Sequence, residues 1–229
     1  MLAAPSEAPF SAPGWLFELK YDGWRLLAAR TRAGEGRLLL RGGGDASGGF
    51  PEVADAVAAL PFEGLVLDGE VVVLDEEGKP SFTRLQARAG GRGGKSHVSM
   101  KKAGDPAASA THPATYFAFD LLACEGFDLR PLPLSVRKEV LRQVVPLAGP
   151  VRFCDHVEER GLELYEAAVG AGLEGVMAKD ATSTYRAGRS RDWRKVRADR
   201  AGDFVVVGYT APKGSRAGFG SLDLAAHGG

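Results

Sequence analysis

Five short polar islands interrupt otherwise apolar, strand-like runs along the chain, and they limit its possible folds more than any other feature. They are Lys20-Tyr21-Asp22-Gly23, Asp68-Gly69-Glu70, Phe119-Asp120, Glu174-Gly175-Val176-Met177-Ala178-Lys179 and Lys195-Val196-Arg197. Charge inside a strand is costly unless it is paired or used. Strands that each bring one or two charges to a common cleft would hold lysines and carboxylates together. Such a cleft suits a nucleoside triphosphate with a divalent metal.

The runs around the islands predict a mixed α/β (α+β) chain. Trp15 to Lys20 and Trp24 to Arg30 flank the turn-forming Tyr21-Asp22-Gly23 and read as a strand, turn, strand unit. Arg37 to Arg41 reads as a strand ending in Gly42, Gly43 and Gly44. Pro51 to Leu60 spaces Val53, Ala56, Val57 and Leu60 as on a helix, with proline at its first position. Gly64 to Asp75 carries β-branched residues on both sides of Asp68-Gly69-Glu70, as two strand halves meeting at a kink. Thr115 to Leu122 and Glu174 to Lys179 read as strands. Ser135 to Val145 and Glu158 to Ala171 read as amphipathic helices, the first with Ser135 as N-cap and Glu139 near the capping-box position. Residues 87–114, without period and rich in Gly, Ala and Ser, read as a mobile surface loop. Asp203 opens a further strand, DFVVVGY.

Composition narrows the class. The 229 residues suit one large domain, or one domain with a fragment of another. An apolar share of 45% and a charged share of 25% exclude disordered, collagenous and coiled-coil chains. The 29 basic residues balance 29 acidic ones, so a polyanion would have to be held by local patches. Cys124 and Cys154 have no CxxC or histidine at ligand spacing and read as buried free thiols. Neither a signal peptide nor a membrane span is legible, so a cytoplasmic protein without a membrane partner is expected.

In their order and spacing the five islands resemble motifs I, III, IIIa, IV and V of the covalent lysine nucleotidyltransferases, the ATP-dependent DNA ligases and mRNA capping enzymes. The flanking segments are more specific. WLFELKYDGWR, FPEVADAVAALP, LDGEVVVLDEEGKPSF, FDLLACEGFDLRPLPLSVRKEVL, GLEGVMAKD, YRAGRSRDWRKVR and DFVVVGYTAPKGSRAGFGSL resemble the ligase domain of the bacterial ligase D type, which serves non-homologous end joining. Only the loop near residues 87–114 falls outside the likeness.

The resemblance implies a nucleotidyltransferase (ATP-grasp-like adenylation) domain of antiparallel sheets flanked by helices over residues 1–200, with a truncated start of an OB-fold at 201–229. It implies ATP and Mg²⁺ (or Mn²⁺). Lys20 would attack the α-phosphorus of ATP, release pyrophosphate and carry AMP, with Asp22 orienting its loop. Lys179 and Lys195 would hold the α-phosphate and help keep Lys20 partly neutral. Glu70 and Glu174 would act at the ribose and the metal. Phe119 would stack on adenine, with Met177 against its other face and Glu18 near the exocyclic amine. Arg25 joins these nucleotide contacts. Arg41 would contact the ribose and the 5′-phosphate region of a nick. Where the family reads Ser-Arg-Asn-Gly, this chain reads Leu40-Arg41-Gly42-Gly43, losing a hydrogen-bonding side chain. Arg197 replaces the second lysine of motif V and is assigned to phosphate binding alone.

The family continues into an OB-fold of roughly 100 residues with a terminal basic motif that orients pyrophosphate. Either a truncated chain or dependence on another chain is therefore expected, with impaired ATP-dependent sealing. Implied partners are nicked or broken duplex DNA, a Ku-like end-binding protein, and polymerase or nuclease modules. A monomer in the bacterial cytoplasm, at the nucleoid, is expected. The rivals are a capping-type or RNA-ligase nucleotidyltransferase and a non-catalytic DNA-end binding remnant. Retention of three lysines and two glutamates speaks against the remnant.

Other signals carry less. Ala89 to Ser96 fits a relaxed P-loop pattern, but the flanking segments supply neither a buried strand nor a helix. Arg84, Arg88, Arg92, Lys95, Lys101 and Lys102 form a basic stretch without acids, read either as solvated or as touching DNA backbone. The basic run from Arg186 to Arg200 reads as a solvated linker or as a phosphate-tracking surface. Asp68 and Glu70 share one strand face and lack the opposed geometry of a glycosidase pair. His97, His112, His156 and His227 stand at no metal spacing.

Overall fold

Strands β2 (Trp15–Leu19) and β3 (Trp24–Arg30) form where the sequence places them, but each joins a different sheet. The expected strand, turn, strand unit is therefore a crossover and not a hairpin. Gly23 explains why. A Cβ there would lie 2.2 Å from the carbonyl oxygen of Val71 and 2.8 Å from Val72 Cγ1. The connection is thus pressed flat against the second sheet, and the Tyr21 ring stacks on Phe117 with centroids 4.1 Å apart.

The computed structural model describes residues 1–88, 111–198, 204–212 and 218–226, and the chain divides into two compact units, Met1–Ala198 and Asp199–Gly229. In the larger unit one sheet has the order β1 (Leu2–Pro5), β11 (Arg189–Arg197), β10 (Gly175–Asp180), β2 and β9 (Val157–Glu158). The other runs β4 (Gly36–Leu40), β3, β5 (Leu65–Val73), β6 (Ala114–Cys124) and β7 (Phe127–Asp128), with β8 (Val151–Phe153) parallel on β6. Pairing is otherwise antiparallel except between β1 and β11.

The main core lies on the second sheet, where Leu26, Leu38, Leu67, Val71 and Tyr116 meet Val53 and Val57 of α1 (Pro51–Ala58), Leu85 of α2 (Phe82–Arg88) and Leu141 of α3 (Leu134–Val144). Helix α4 (Gly161–Gly170) covers β10 and β2 of the first sheet. The smaller unit pairs β12 (Phe204–Tyr209) with β13 (Leu222–Ala226) and leaves Val205, Val206, Val207 and Tyr209 exposed.

Several expectations are corrected. Helix α3 starts at Leu134 after Pro133, so Ser135 lies inside its first turn and is no N-cap; the fixed φ of proline sets the start without a side-chain cap. Helix α4 begins at Gly161, because Val157 and Glu158 pair with β2. Residues Gly64 to Asp75 hold one nine-residue strand whose register shifts against β6. Gly69 is needed there, since a Cβ would sit 2.4 Å from the Tyr116 ring. Arg88, read as part of a loop, ends α2 and is buried; it pairs with Glu52 at 2.7 Å and donates to the Gly49 and His112 carbonyls. The basic run after Arg186 is largely β11, with Trp193 and Val196 buried. Both cysteines are free and buried. The P-loop-like segment, His97, His227 and the basic residues Arg92, Lys95, Lys101, Lys102 and Arg200 lie outside the described residues.

Candidate active site

Strand register assembles the islands. Glu18 on β2 faces Met177 on β10, which faces Lys195 on β11; one row along, Leu16 faces Lys179, which faces Trp193. Lys20, just past β2, donates its backbone N–H to the Gly175 carbonyl at 2.9 Å, and Gly175 pairs with Arg197. These positions are two residues apart on each strand and so share a sheet face. Gly175 has φ +126°, and a Cβ would lie 2.1 Å from the Val196 carbonyl oxygen, so glycine is required where β10 begins against β11.

The second sheet supplies Arg25 on β3, in register with Glu70 on β5, and Phe119 on β6. Asp68 pairs with Asp120 and Gly69 with Ala118, which leaves Phe119 as the extra residue of a bulge. A bulge re-aims a side chain out of the regular alternation. Between the sheets these strands enclose a cavity of about 110 Å³ bordered by Glu18, Lys20, Tyr21, Arg25, Glu70, Phe119, Cys154, Met177, Lys179 and Trp193. A larger cleft of about 820 Å³ beside Arg32, Glu125 and Phe127 contains none of the islands.

The site is dense with charge. Lys20 Nζ lies 2.5 Å from Glu174 Oε2, and Arg197 Nε lies 3.7 Å from Glu174 Oε1. Glu18, 2% exposed, contacts Lys138 at 2.7 Å and Lys179 at 2.6 Å. Burial alone would raise its carboxyl, but the two ammonium groups outweigh burial and hold it below the ordinary range. Burial pushes Glu70 up to about 8 against the pull of Lys20 and Arg25. Desolvation and then the nearby Arg197, Arg189 and Lys20 lower Lys195. Arg25 forks onto Asp68, whose Oδ2 also accepts the Tyr185 hydroxyl at 2.7 Å.

The expected residues are thus not all in one place. Seven of them, Glu18, Lys20, Arg25, Glu70, Phe119, Met177 and Lys179, border the small cavity. Glu174, Lys195 and Arg197 adjoin it through the contacts and register above. Asp22 is exposed in the crossover. Arg41 lies outside, on clefts of about 460 and 510 Å³ that share Arg25 with the cavity. The Phe119 ring is already faced by Lys179 Nζ at 4.2 Å and the Arg25 guanidinium at 5.3 Å from its centroid. Both oxygens of Glu18 are held by lysines.

Sequence reasoning missed Lys138, Trp193, Tyr185 and the Asp120–Arg137 pair. Lys138 left a signal, because it lies four residues after Leu134 and three before Leu141 on the apolar stripe of α3.

For a divalent cation the available donors are the carboxylates of Glu70 and Glu174; no group of three potential ligands occurs among the described residues. One or two carboxylates completed by substrate phosphates and water is the usual way of holding Mg²⁺. Glu70, kept protonated by burial, is also a group whose charge a cation would restore. The residues present therefore fit that ion. No helix among the described residues is long and apolar enough to cross a membrane.

Residues 1–197 match the model of the ATP dependent DNA ligase domain family. The chain is 40% identical over 213 residues to the multifunctional non-homologous end joining protein LigD of Pseudomonas aeruginosa, spanning 92% of this chain and 23% of that one. It is 36% identical over 205 residues to a probable DNA ligase of Mycobacterium sp., spanning 89% and 37%. Among solved structures it resembles a mycobacterial DNA ligase D complexed with ATP (TM-score 0.71, 29% identity, 98% of this chain and 66% of that one). It is likewise similar to the ligase domain of M. tuberculosis LigD (TM-score 0.70, 30% identity, 100% and 68%). The chain therefore spans well under half of these curated relatives and about two thirds of the solved ligase domains. From the register of its lysine-bearing strands and from the family match over residues 1–197, this chain belongs to the ATP-dependent DNA ligase domain family.

Proposed function

We propose that this chain carries out the nucleotide chemistry of an ATP-dependent DNA ligase, forming AMP on Lys20 and passing it to a DNA 5′-phosphate so that a nick or break is sealed in bacterial end joining. The observation that carries this is the placing of Lys20 between Glu174 and the cavity bordered by Glu70, Phe119 and Lys179. In the first step a bond forms between Lys20 Nζ and the α-phosphorus, and the bond from that phosphorus to the pyrophosphate oxygen breaks. Lys20 must shed a proton to attack, and the Glu174 carboxylate at 2.5 Å stands to take it.

Lys179 and Lys195 neutralise charge on the α-phosphate, and Arg197 adds a permanent cation at the mouth of the site. Adenine enters against Phe119 and Met177, which requires the Lys179 and Arg25 side chains to move off the ring. Mg²⁺ or Mn²⁺ held by Glu70 and Glu174 would offset charge on the phosphate oxygens. Arg41, on the neighbouring clefts, fits contact with the DNA 5′-phosphate. Partners of the Ku, polymerase and nuclease kinds, action as a monomer and work at the nucleoid belong to the same proposal.

Incubation with Mg²⁺ and ATP labelled at either the α- or the γ-phosphorus tests the reading. Covalent label from α-labelled ATP that survives denaturation and mild alkali but is released by acid, as a phosphoramidate is, with none from γ-labelled ATP and none from α-labelled GTP, is the expected result. Preferential labelling by GTP would instead indicate a capping-type enzyme, and absence of any label would remove the proposal.

A further inference from the structure

Two consecutive basic residues of α3 are buried side by side, Arg137 at 0% and Lys138 at 2% exposure, and their partners differ in number. Arg137 forks onto both oxygens of Asp120 and spends its remaining nitrogen on the Leu132 and Ser183 carbonyls. One cation there meets one anion. Lys138 donates to Glu18 Oε1 at 2.7 Å and to the Cys154 carbonyl at 2.6 Å, while Lys179 takes the other Glu18 oxygen at 2.6 Å. Here one carboxylate serves two ammonium groups. The adjoining Cys154 thiol, pushed up to about 12 by burial, is neutral and cancels nothing. Beyond Glu18, the Lys179 ammonium faces the Phe119 and Trp193 rings, 4.2 Å from each centroid, at the edge of the cavity.

We propose that Lys138 is a positioning residue that sets the charge of the cavity floor: by occupying half of Glu18 it leaves Lys179 an unneutralised cation for the phosphates of the nucleotide. The inference rests on the nucleotide reading above. With Lys138 neutral, Glu18 and Lys179 become a balanced pair, and the floor keeps its shape but loses its excess charge. An uncompensated buried charge is unfavourable in the empty protein and is relieved when an anion arrives. It therefore strengthens binding of the phosphates and leaves binding of the neutral nucleoside alone.

Lys138→Gln keeps a hydrogen-bonding side chain and removes the charge. Binding of ATP and of adenosine would be titrated calorimetrically with divalent cations chelated, so that no covalent step runs. ATP affinity is expected to fall roughly tenfold or more and adenosine affinity to stay within about twofold, with Lys138→Arg returning ATP affinity to near wild type. An unchanged ATP affinity overturns the proposal. So does an equal loss for both ligands, which would make Lys138 part of the scaffold only. If Lys138→Gln does not fold, Glu18→Gln supplies the opposite sign. It removes negative charge, so the ratio of ATP to adenosine affinity is expected at or above that of the wild type, and a collapse of the ratio overturns the proposal. A wild-type chain that fails to prefer ATP over adenosine overturns the nucleotide reading itself, an outcome distinct from wild-type preference that survives Lys138→Gln.

Discussion

The two sheets of the larger unit bury charge in opposite ways. In the six-stranded sheet, Asp68 and Asp120 are fully buried, and each is gripped by one arginine, Arg25 and Arg137. In the five-stranded sheet, Lys20 and Arg197 share Glu174, while Lys179 shares Glu18 with Lys138. A forked arginine pair is closed, with its donors and acceptors spent on each other. A lysine cluster short of carboxylates is open to an anion. Burial alone does not distinguish scaffold from site; the ratio of cations to anions does. Glu70 is the exception in the six-stranded sheet, since Arg25 lies opposite it in register yet turns to Asp68.

The largest effect is expected on the closed side. Arg137→Met strands Asp120 in the core and should cost about 3–5 kcal/mol in chemical denaturation. A loss below about 1 kcal/mol would erase the contrast between the sheets. Glu70→Gln comes next and depends on pH. The folded value of about 8 lies above the ordinary 4.5, so the folded chain holds this proton longer than the unfolded one. Stability of the metal-free wild type should therefore fall as pH rises from about 4.5 to about 8. Melting at both ends of that window should show the glutamine variant gaining on the wild type, by on the order of 2–4 kcal/mol at the alkaline end. A gap that does not change with pH would place Glu70 in a wetter setting.

Arg25→Lys keeps the charge and loses the fork, and should cost about 1–2 kcal/mol in urea unfolding if closure of the Asp68 pair depends on geometry. No cost would mean that charge alone holds Asp68. The smallest stability effect belongs to the open side. Lys179→Met leaves Glu18 balanced by Lys138, so thermal stability should change by less than about 1 kcal/mol or rise, while labelling by ATP is lost. A penalty as large as that of Arg137→Met would show the two sheets to be alike.

Much of this was legible in the sequence. The five islands named the strands β2, β5, β6, β10 and β11 that border the site, and the cavity gathers seven of the expected residues. The pairing was not legible, because local pattern does not say which sheet a strand joins; Gly23, which presses the crossover onto β5, acts through a contact with Val71, distant in sequence. Beyond the Lys195 to Arg197 island, the extent of β11 was hidden because its outward and pocket-facing positions are both charged, leaving only Trp193 and Val196 buried and no apolar period to read. Arg88 and Lys138 were hidden for a related reason: a long basic side chain reads as surface until its acid, half-buried Glu52 or buried Glu18, is placed beside it.

The convergence of β2, β10 and β11 on Lys20 is tested most directly by finding where AMP is bonded. The wild-type protein would be incubated with ATP and Mg²⁺, digested, and its peptides mapped by mass spectrometry, with Lys20→Ala treated in parallel. Expected is AMP on the peptide bearing Lys20 and none on any peptide of the alanine variant. AMP on Lys179 or Lys195, or undiminished modification of Lys20→Ala, would contradict the assignment of the nucleophile and the register argument behind it.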